Sequence, residues 1–390
     1  MRISRRRFLG NAGRSAAFLG AAPSILLARS MDAPPRKVRM GVVGGGFGCS
    51  FYWHLHPDST VRAVSDLRED RRRALQQRYR CDLAYNSLAE LVKDREVDAV
   101  AIFTPAPDHV RHAVEVLRSG KHVISAVPAA MTIEECQELV DTVKKTGLTY
   151  MMAETSYFRQ EAITARRWFR EGKFGDIFYT EAEYHHDGLE ALFWEGDTKT
   201  WRYGLAPMNY PTHSTALITG ITGERLTEVS CLGWGDGDQV LKDNVYKNPF
   251  WSETAFFKTD RGHACRIAVY WRVAARGTER AQWFGSKLSF FMPDPLGLPN
   301  MICERGERAQ QFDQPAYWKT ELPEPLRVDS GHGGSHTFLT HEFIDSLVKR
   351  RLPAIDVYEA VAYTAPGIVA HQSALEGGRQ MKVPDFGKAG

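Results

Sequence analysis

One short stretch constrains this chain more than any other. Val38-Arg39-Met40-Gly41-Val42-Val43 is an apolar run that leads straight into Gly44-Gly45-Gly46-Phe47-Gly48, and Val61-Arg62-Ala63-Val64-Ser65-Asp66 is a second run ending in a carboxylate. A strand, a glycine turn and a second strand with an acid about 20 residues on describe the opening of a dinucleotide-binding βαβ unit. Gly44, Gly46 and Gly48 permit a tight turn and let the backbone around Phe47 approach a pyrophosphate at a helix N-terminus. Asp66 is expected to accept the ribose hydroxyls, and its charge repels a 2′-phosphate. NAD is therefore favoured over NADP, although Arg68 and Arg71 offer cations to such a phosphate. One departure is that the third glycine comes a position early, with Cys49 where Gly-x-Gly-x-x-Gly has its last.

The alternation continues. Apolar strands are expected over 97–104, 122–127 and 148–153, with helices over 112–119 and 133–146. Near-continuous apolar strands separated by helices predict a parallel, doubly wound sheet. Cofactor contacts then fall at the strand ends, on Thr104, Pro105, Ala126, Val127 and Glu154, with His109 ordering the adjoining loop. From Phe158 the pattern changes: one helix to about Gly172, then alternating strands over 177–185, 226–234, 252–259, 263–271 and 283–291. Residues 293–325 read as loop, and helices over 338–349 and 357–377 close the chain. The expected fold is α/β, an N-terminal Rossmann sheet (36–156) plus a C-terminal α+β domain (157–386) with a large, mostly antiparallel sheet. An open apolar sheet face must be covered, so a homodimer or homotetramer through that sheet is expected.

Composition limits the function classes. The 50 basic and 47 acidic residues among 390 nearly cancel, and many of the extra arginines lie in the first 40 positions, so no nucleic-acid footprint is present. Six dispersed cysteines without Cys-x-x-Cys read as core thiols. No metal site is expected: His185 and His186 point to opposite faces of a strand, and Gly333-Gly334 interrupts the spacing of His332 and His336. Ser4-Arg5-Arg6-Arg7-Phe8-Leu9-Gly10 and the apolar stretch to Ala28 read as a twin-arginine signal over residues 1–30, with the Tat export machinery as partner and the periplasm as destination.

Thr104-Pro105 with His109 following, Gly120-Lys121-His122-Val123, the glycine-rich start and the switch to an antiparallel sheet resemble the Gfo/Idh/MocA oxidoreductase family over most of residues 36–386. The run from Val127-Pro128-Ala129-Ala130 to Cys136, Gly175-Asp176-Ile177 on to Glu183-Tyr184-His185-His186-Asp187, Tyr210-Pro211-Thr212-His213, Gly331-His332-Gly333-Gly334 and Val383-Pro384-Asp385-Phe386 resemble its glycoside hydrolase family 109 branch, NAD-dependent α-N-acetylgalactosaminidases. The resemblance implies His213 as the base on a sugar hydroxyl and Tyr157 as a second proton carrier. It implies sugar contacts from Tyr184, Arg202, Tyr210, Pro211, Thr212, His213 and His332. Export of folded protein implies that NAD travels tightly bound.

The departures are equally specific. Where family dehydrogenases carry Glu-Lys-Pro this chain has Ala126-Val127-Pro128, and Asn209 stands where they hold an aspartate, so an Asp–Lys–His relay is missing. Thr155 replaces an asparagine, and the tyrosine after it is shifted by one. The reading taken is an NAD-dependent oxidoreductase acting on a pyranoside hydroxyl with His213 as base; the alternatives are a redox-neutral glycosidase that oxidises C3, eliminates, adds water and reduces again, and then a non-catalytic sugar- or nucleotide-binding protein.

Overall fold

The computed structural model describes residues 37–186, 189–274 and 278–388. The expected export segment, residues 1–30, lies outside the described residues, as does Asp187.

The first half runs β1 (Val38–Val43), β2 (Ser59–Ser65), α1 (Glu69–Tyr79), β3 (Ala84–Tyr85), α2 (Leu88–Leu91), β4 (Ala99–Ile102), α3 (His109–Arg118), β5 (His122–Ser125), α4 (Ile133–Thr146) and β6 (Tyr150–Met152). Its strands are parallel, in the order β3-β2-β1-β4-β5-β6. The order reverses between β1 and β4, which opens a crevice beyond the strand ends. Local chemistry explains the elements. β4 is buried at every position, as a strand covered on both faces requires. α4 begins in a Thr132/Glu135 capping box and ends at Gly147 in the left-handed region.

The glycine turn departs from expectation. No α-helix follows it: Phe47–Ser50 form one 3-10 turn, and the chain then runs irregularly to β2. Phe51 and Trp53 stack on each other, and Trp53 packs edge-on against Phe343. This crossover is anchored by buried aromatic side chains instead of by a helical backbone, so no helix N-terminus faces a pyrophosphate here.

After α5 (Gln160–Arg170) comes β7 (Ile177–His185), then a small hairpin of β8 (Trp194–Glu195) and β9 (Thr198–Lys199), and two short helices, α6 (Thr212–Thr215) and α7 (Thr219–Thr222). β10 (Leu226–Trp234), β11 (Ser252–Thr259), β12 (Ala264–Tyr270), β13 (Thr278–Gly285), β14 (Leu288–Phe291), β15 (Met301–Glu304) and β16 (Gln310–Gln311) follow, and β17 (Met381–Lys382) completes the sheet. The order is β16-β15-β14-β13-β7-β12-β11-β10-β17, antiparallel throughout except between β7 and β12. The single strand expected over 283–291 is thus two strands joined at Ser286-Lys287, because Gly285 lets the chain pass against Phe174, whose carbonyl oxygen lies 2.4 Å from where a Cβ would sit. The loop expected over 293–325 contributes β15 and β16.

The C-terminal helices are α8 (Gly331–Lys349) and α9 (Val357–Leu375). They are not confined to the core of the larger sheet, to which α9 gives Val369, Ala370 and Ala374. Leu339, Phe343, Ile344 and Val361 pack in one core with Val42, Ile102 and Val123, and the Met152 N–H donates to the Ile355 carbonyl at 3.0 Å. A second core lies between the larger sheet and α5, around Ala182, Phe257, Ile267, Trp271 and Trp283. Along the chain, the larger sheet is therefore inserted between two parts of the first core.

Candidate active site

The buried face of the larger sheet pins the segment that carries His213. Trp271 Nε1 donates to the Leu205 carbonyl and Trp283 Nε1 to the Leu217 carbonyl, each at 2.8 Å. Glu253, fully buried, accepts the Met208 N–H at 2.7 Å, and Thr215 Oγ1 donates to the Tyr363 carbonyl at 2.8 Å. Gly367 of α9 completes the brace, since a Cβ there would lie 2.1 Å from the Met208 oxygen and 2.4 Å from Pro211 Cγ. Pro211 and Thr212, expected to touch sugar, are used in this packing: Thr212 is buried in α6, and neither lines the cleft.

His213 Nδ1 lies 2.7 Å from Glu154 Oε1 and 3.2 Å from Ser156 Oγ, which leaves Nε2 for the cleft. Glu154 is wholly buried. Its side chain therefore serves His213 and does not line the cofactor end, as the reading of strand ends had it. Ser156 Oγ also hydrogen-bonds Glu279, which Arg159 grips through Nη2 at 2.7 Å. Burial pulls the His213 pKa down, but the Glu154 and Glu279 charges outweigh it and the net shift is upward from 6.5. Burial pushes Glu279 up, yet Arg159 holds it well below the usual carboxylate range. The Tyr184 and Tyr210 rings flank His213 at 4.5 and 5.3 Å between centroids.

A cleft of about 900 Å³ joins this histidine to the glycine turn. Gly44, Gly46, Phe47 and Asp66 line its far end, and Thr104, Pro105, His109, Ala126 and Val127 continue along the strand ends. Tyr184, Arg202, Tyr210, His213 and His332 line the near end. The expected residues thus come together, with Gly48 an exception: it packs against Phe103, Val42 and Leu75. His109 sets its two ring nitrogens against the Pro128 and Thr104 carbonyls at 2.7 and 2.8 Å, tying the loop as expected.

The far end fits a dinucleotide. Gly44 (φ 96) leaves 2.3 Å between its would-be Cβ and the Phe103 carbonyl oxygen, whereas a Cβ on Gly46 would meet nothing within 4 Å, so the turn is tight beneath and open above. Asp66 accepts from the Gly45 N–H at 2.7 Å and from the Arg68 N–H at 2.9 Å, which fixes its carboxylate at the end of β2. The residues present therefore suit a nicotinamide dinucleotide, held by the turn, Asp66 and the loops after β4 and β5.

Tyr157 does not reach the cleft. Its ring lies under the Arg166 guanidinium, 3.7 Å from the centroid, and beside Gly220. A second titratable group in the cleft is instead His332, held at φ 54 in a run of three left-handed residues, His332, Gly333 and Gly334. Burial lowers its pKa, opposed by Glu279, and the His213 charge is felt there too. Sequence reasoning missed Ser156, Arg159 and Glu279. Glu279 lies on β13, before the expected start of that strand, and no local motif marks it. It also missed Glu195, which pairs with Arg68 and stands 3.6 Å from Arg71 across the cofactor end.

Residues 38–154 match the family described as "Oxidoreductase family, NAD-binding Rossmann fold", and residues 303–390 match "Glycosyl hydrolase 109, C-terminal domain". A glycosyl hydrolase family 109 protein of Solibacter usitatus is 27% identical, covering 99% of this chain and 97% of the relative. One from Streptomyces coelicolor is 24% identical over 98% and 94%. Among solved structures, levoglucosan dehydrogenase with NADH and levoglucosan aligns at a TM-score of 0.74 with 16% identity, covering 90% of this chain and 100% of that one. Myo-inositol 2-dehydrogenase of Lactobacillus plantarum aligns at 0.70 with 15% identity over 90% and 100%, a likeness of fold. With a Rossmann sheet, an inserted antiparallel sheet and both sequence matches in hand, the chain resembles the Gfo/Idh/MocA oxidoreductases in its first half and their glycosyl hydrolase 109 branch at its C-terminus.

Proposed function

We propose that this protein cleaves a glycoside by a redox-neutral, NAD-dependent route. One observation carries the reading: at the near end of the cleft, whose walls also carry His109, His112 and His186, stand His213 and His332, the first with its pKa pushed up by Glu154 and Glu279 and the second with its pKa lowered by burial. Simple oxidation of a hydroxyl needs one proton carrier; elimination at C1 and addition of water need a second. The hydrolase 109 names of the relatives support the same reading.

A nicotinamide held by the glycine turn, Asp66 and the loops after β4 and β5 would supply reversible hydride transfer with the sugar. His213 Nε2 accepts the proton of the reacting hydroxyl, while Glu154 at Nδ1 stabilises the imidazolium that forms. Tyr184 and Tyr210 wall the ring between them and exclude water, and Arg202 offers donors to sugar hydroxyls. His332 accepts the C2 proton and returns it to the leaving oxygen as the C1–O bond breaks; water then adds its hydroxyl at C1 and a proton at C2 of the resulting double bond. The buried His213–Glu154 pair supports catalysis over a non-catalytic binding role.

Net oxidation is the second reading, favoured by Ala126, which stands where the hydrolase branch keeps a glutamate. NAD over NADP, export by the twin-arginine route and assembly through the larger sheet belong to the same proposal. The test is an aryl-glycoside panel with the purified protein, following aryl release together with absorbance of reduced nicotinamide. Aryl release without accumulating NADH is the expected result. NADH without aryl release selects net oxidation, and neither signal overturns both.

A further inference from the structure

Ser156 stands at the centre of the buried cluster around His213, and it touches both carboxylates there. Its backbone N–H donates to Glu154 Oε1 at 2.8 Å, the oxygen that also meets His213 Nδ1. Its hydroxyl bonds Glu279 Oε1, and the same hydroxyl oxygen lies 3.2 Å from His213 Nδ1. Ser156 and Glu154 are wholly buried, and the Glu279 side chain nearly so. The partners come from separate parts of the fold: Glu154 and Ser156 follow β6, His213 lies in α6, and Glu279 arrives on β13, in register with Tyr184 of β7, whose ring flanks His213.

The donor and acceptor roles follow from the chemistry of each group. Arg159 donates to both Glu279 oxygens, from Nε at 2.5 Å and from Nη2 at 2.7 Å, which keeps Glu279 ionised, and a carboxylate only accepts. The Ser156 proton is therefore spent on Glu279, and its oxygen is left to accept. His213 Nδ1 then faces two acceptors, the Glu154 carboxylate and the Ser156 oxygen, so Nδ1 carries the ring proton. Charge points the same way. With His213 neutral, Glu154, Glu279 and Arg159 sum to one negative charge; a proton on His213 brings the cluster to zero, which a buried site favours. The other titratable groups around the ring, Tyr184 of β7, Tyr210 and His332 of α8, are held neutral by burial.

We propose that Ser156 is a positioning residue for His213: with its proton committed to Glu279, it turns a lone pair onto Nδ1 and couples the base to a second carboxylate brought in on β13. This rests on the reading of His213 as the base. The coupling makes that base depend on the larger sheet, because the pairing of β13 with β7 sets where Glu279 stands.

The test reads the titration of His213 itself, from imidazole ¹⁵N shifts of the NAD-loaded full chain, with the signal assigned by its loss in His213→Asn. Ser156→Ala removes the hydroxyl and leaves both carboxylates in place. The His213 midpoint is expected to fall by ~0.5–1 pH unit, the worth of one neutral hydrogen bond. Glu279→Asp keeps the charge opposite Arg159 but draws it back from Ser156, so the midpoint should fall by a similar amount. The double variant should fall no further than either single one. The low-pH limb of kcat/KM should move with the midpoint while KM changes little. A packing role alone would lower the unfolding temperature and leave the midpoint in place. An unchanged midpoint in Ser156→Ala overturns the proposal, and so do additive falls in the double variant, which would mean that Glu279 acts on His213 without Ser156. If the midpoints move as expected but the protein neither releases aryl groups nor forms NADH, the proposed function fails and the positioning role stands.

Discussion

Glu154 and His213 form a buried carboxylate–imidazole pair, 2.7 Å apart, that joins the end of the nucleotide-binding sheet to the loop carrying the candidate base. It orients the ring and sets its basicity. Because Glu154 raises the His213 pKa, the unprotonated base is available only above the ordinary 6.5. The low-pH limb of kcat/KM should therefore lie above 6.5, and Glu154→Gln should move it down by ~1–3 pH units, because removing the negative partner makes the imidazolium easier to deprotonate. A limb that stays in place in the variant would assign it to another group.

Glu279 and Arg159 should matter to stability. The Glu279 carboxyl is held below its ordinary 4.5, so its contribution is present above that value and is lost as pH falls through the lower folded pKa. Leaving Arg159 buried without its partner in Glu279→Gln should cost ~3–5 kcal/mol at pH 7. Urea unfolding at pH 7 and pH 3 would check both statements, the loss being smaller at the lower pH. Equal losses at both would count against the pair.

Two glycines of the same turn should behave differently. Gly44→Ala forces a side chain into the Phe103 carbonyl at positive φ, so it should destabilise the fold. Gly46→Ala meets only open space and should leave the unfolding midpoint unchanged while weakening NAD binding. Thermal unfolding and calorimetric titration of the two variants separate the effects.

Glu195, reaching over from the β8–β9 hairpin, occupies Arg68 and Arg71, the two cations nearest the place for a 2′-phosphate. Glu195→Gln should strengthen NADP binding relative to NAD, more so at low salt, since the groups are exposed. The comparison is a pair of dissociation constants at two ionic strengths. No change in the ratio would remove Glu195 from selectivity.

Tyr157→Phe should leave kcat within about threefold of wild type, as its ring lies under Arg166 and outside the cleft. Tyr184→Phe, beside His213, should lower kcat/KM. A large loss in Tyr157→Phe alone would mean that the loop rearranges on binding substrate.

Much of this protein was legible along the chain, and the reason is locality. The β1–Gly–β2–Asp66 opening, the capped α4 and the alternating strands of the larger sheet are written in neighbouring residues, because turn geometry and strand or helix period depend on positions a few residues apart. His213 could likewise be found from the Tyr210-Pro211-Thr212-His213 run. What a side chain touches is not local. Glu154 and Tyr157 stand three residues apart, yet one turns under His213 and the other under Arg166, because the partners come from α6 and α5. Glu279 reaches the site from β13, and Glu195 from a hairpin that no pattern marks. The α8–α9 return to the first core exists only once distant apolar faces have been buried together. The sequence alone thus determined the two sheets and the candidate base; tertiary packing decided which carboxylate tunes that candidate and which other side chains share its cleft.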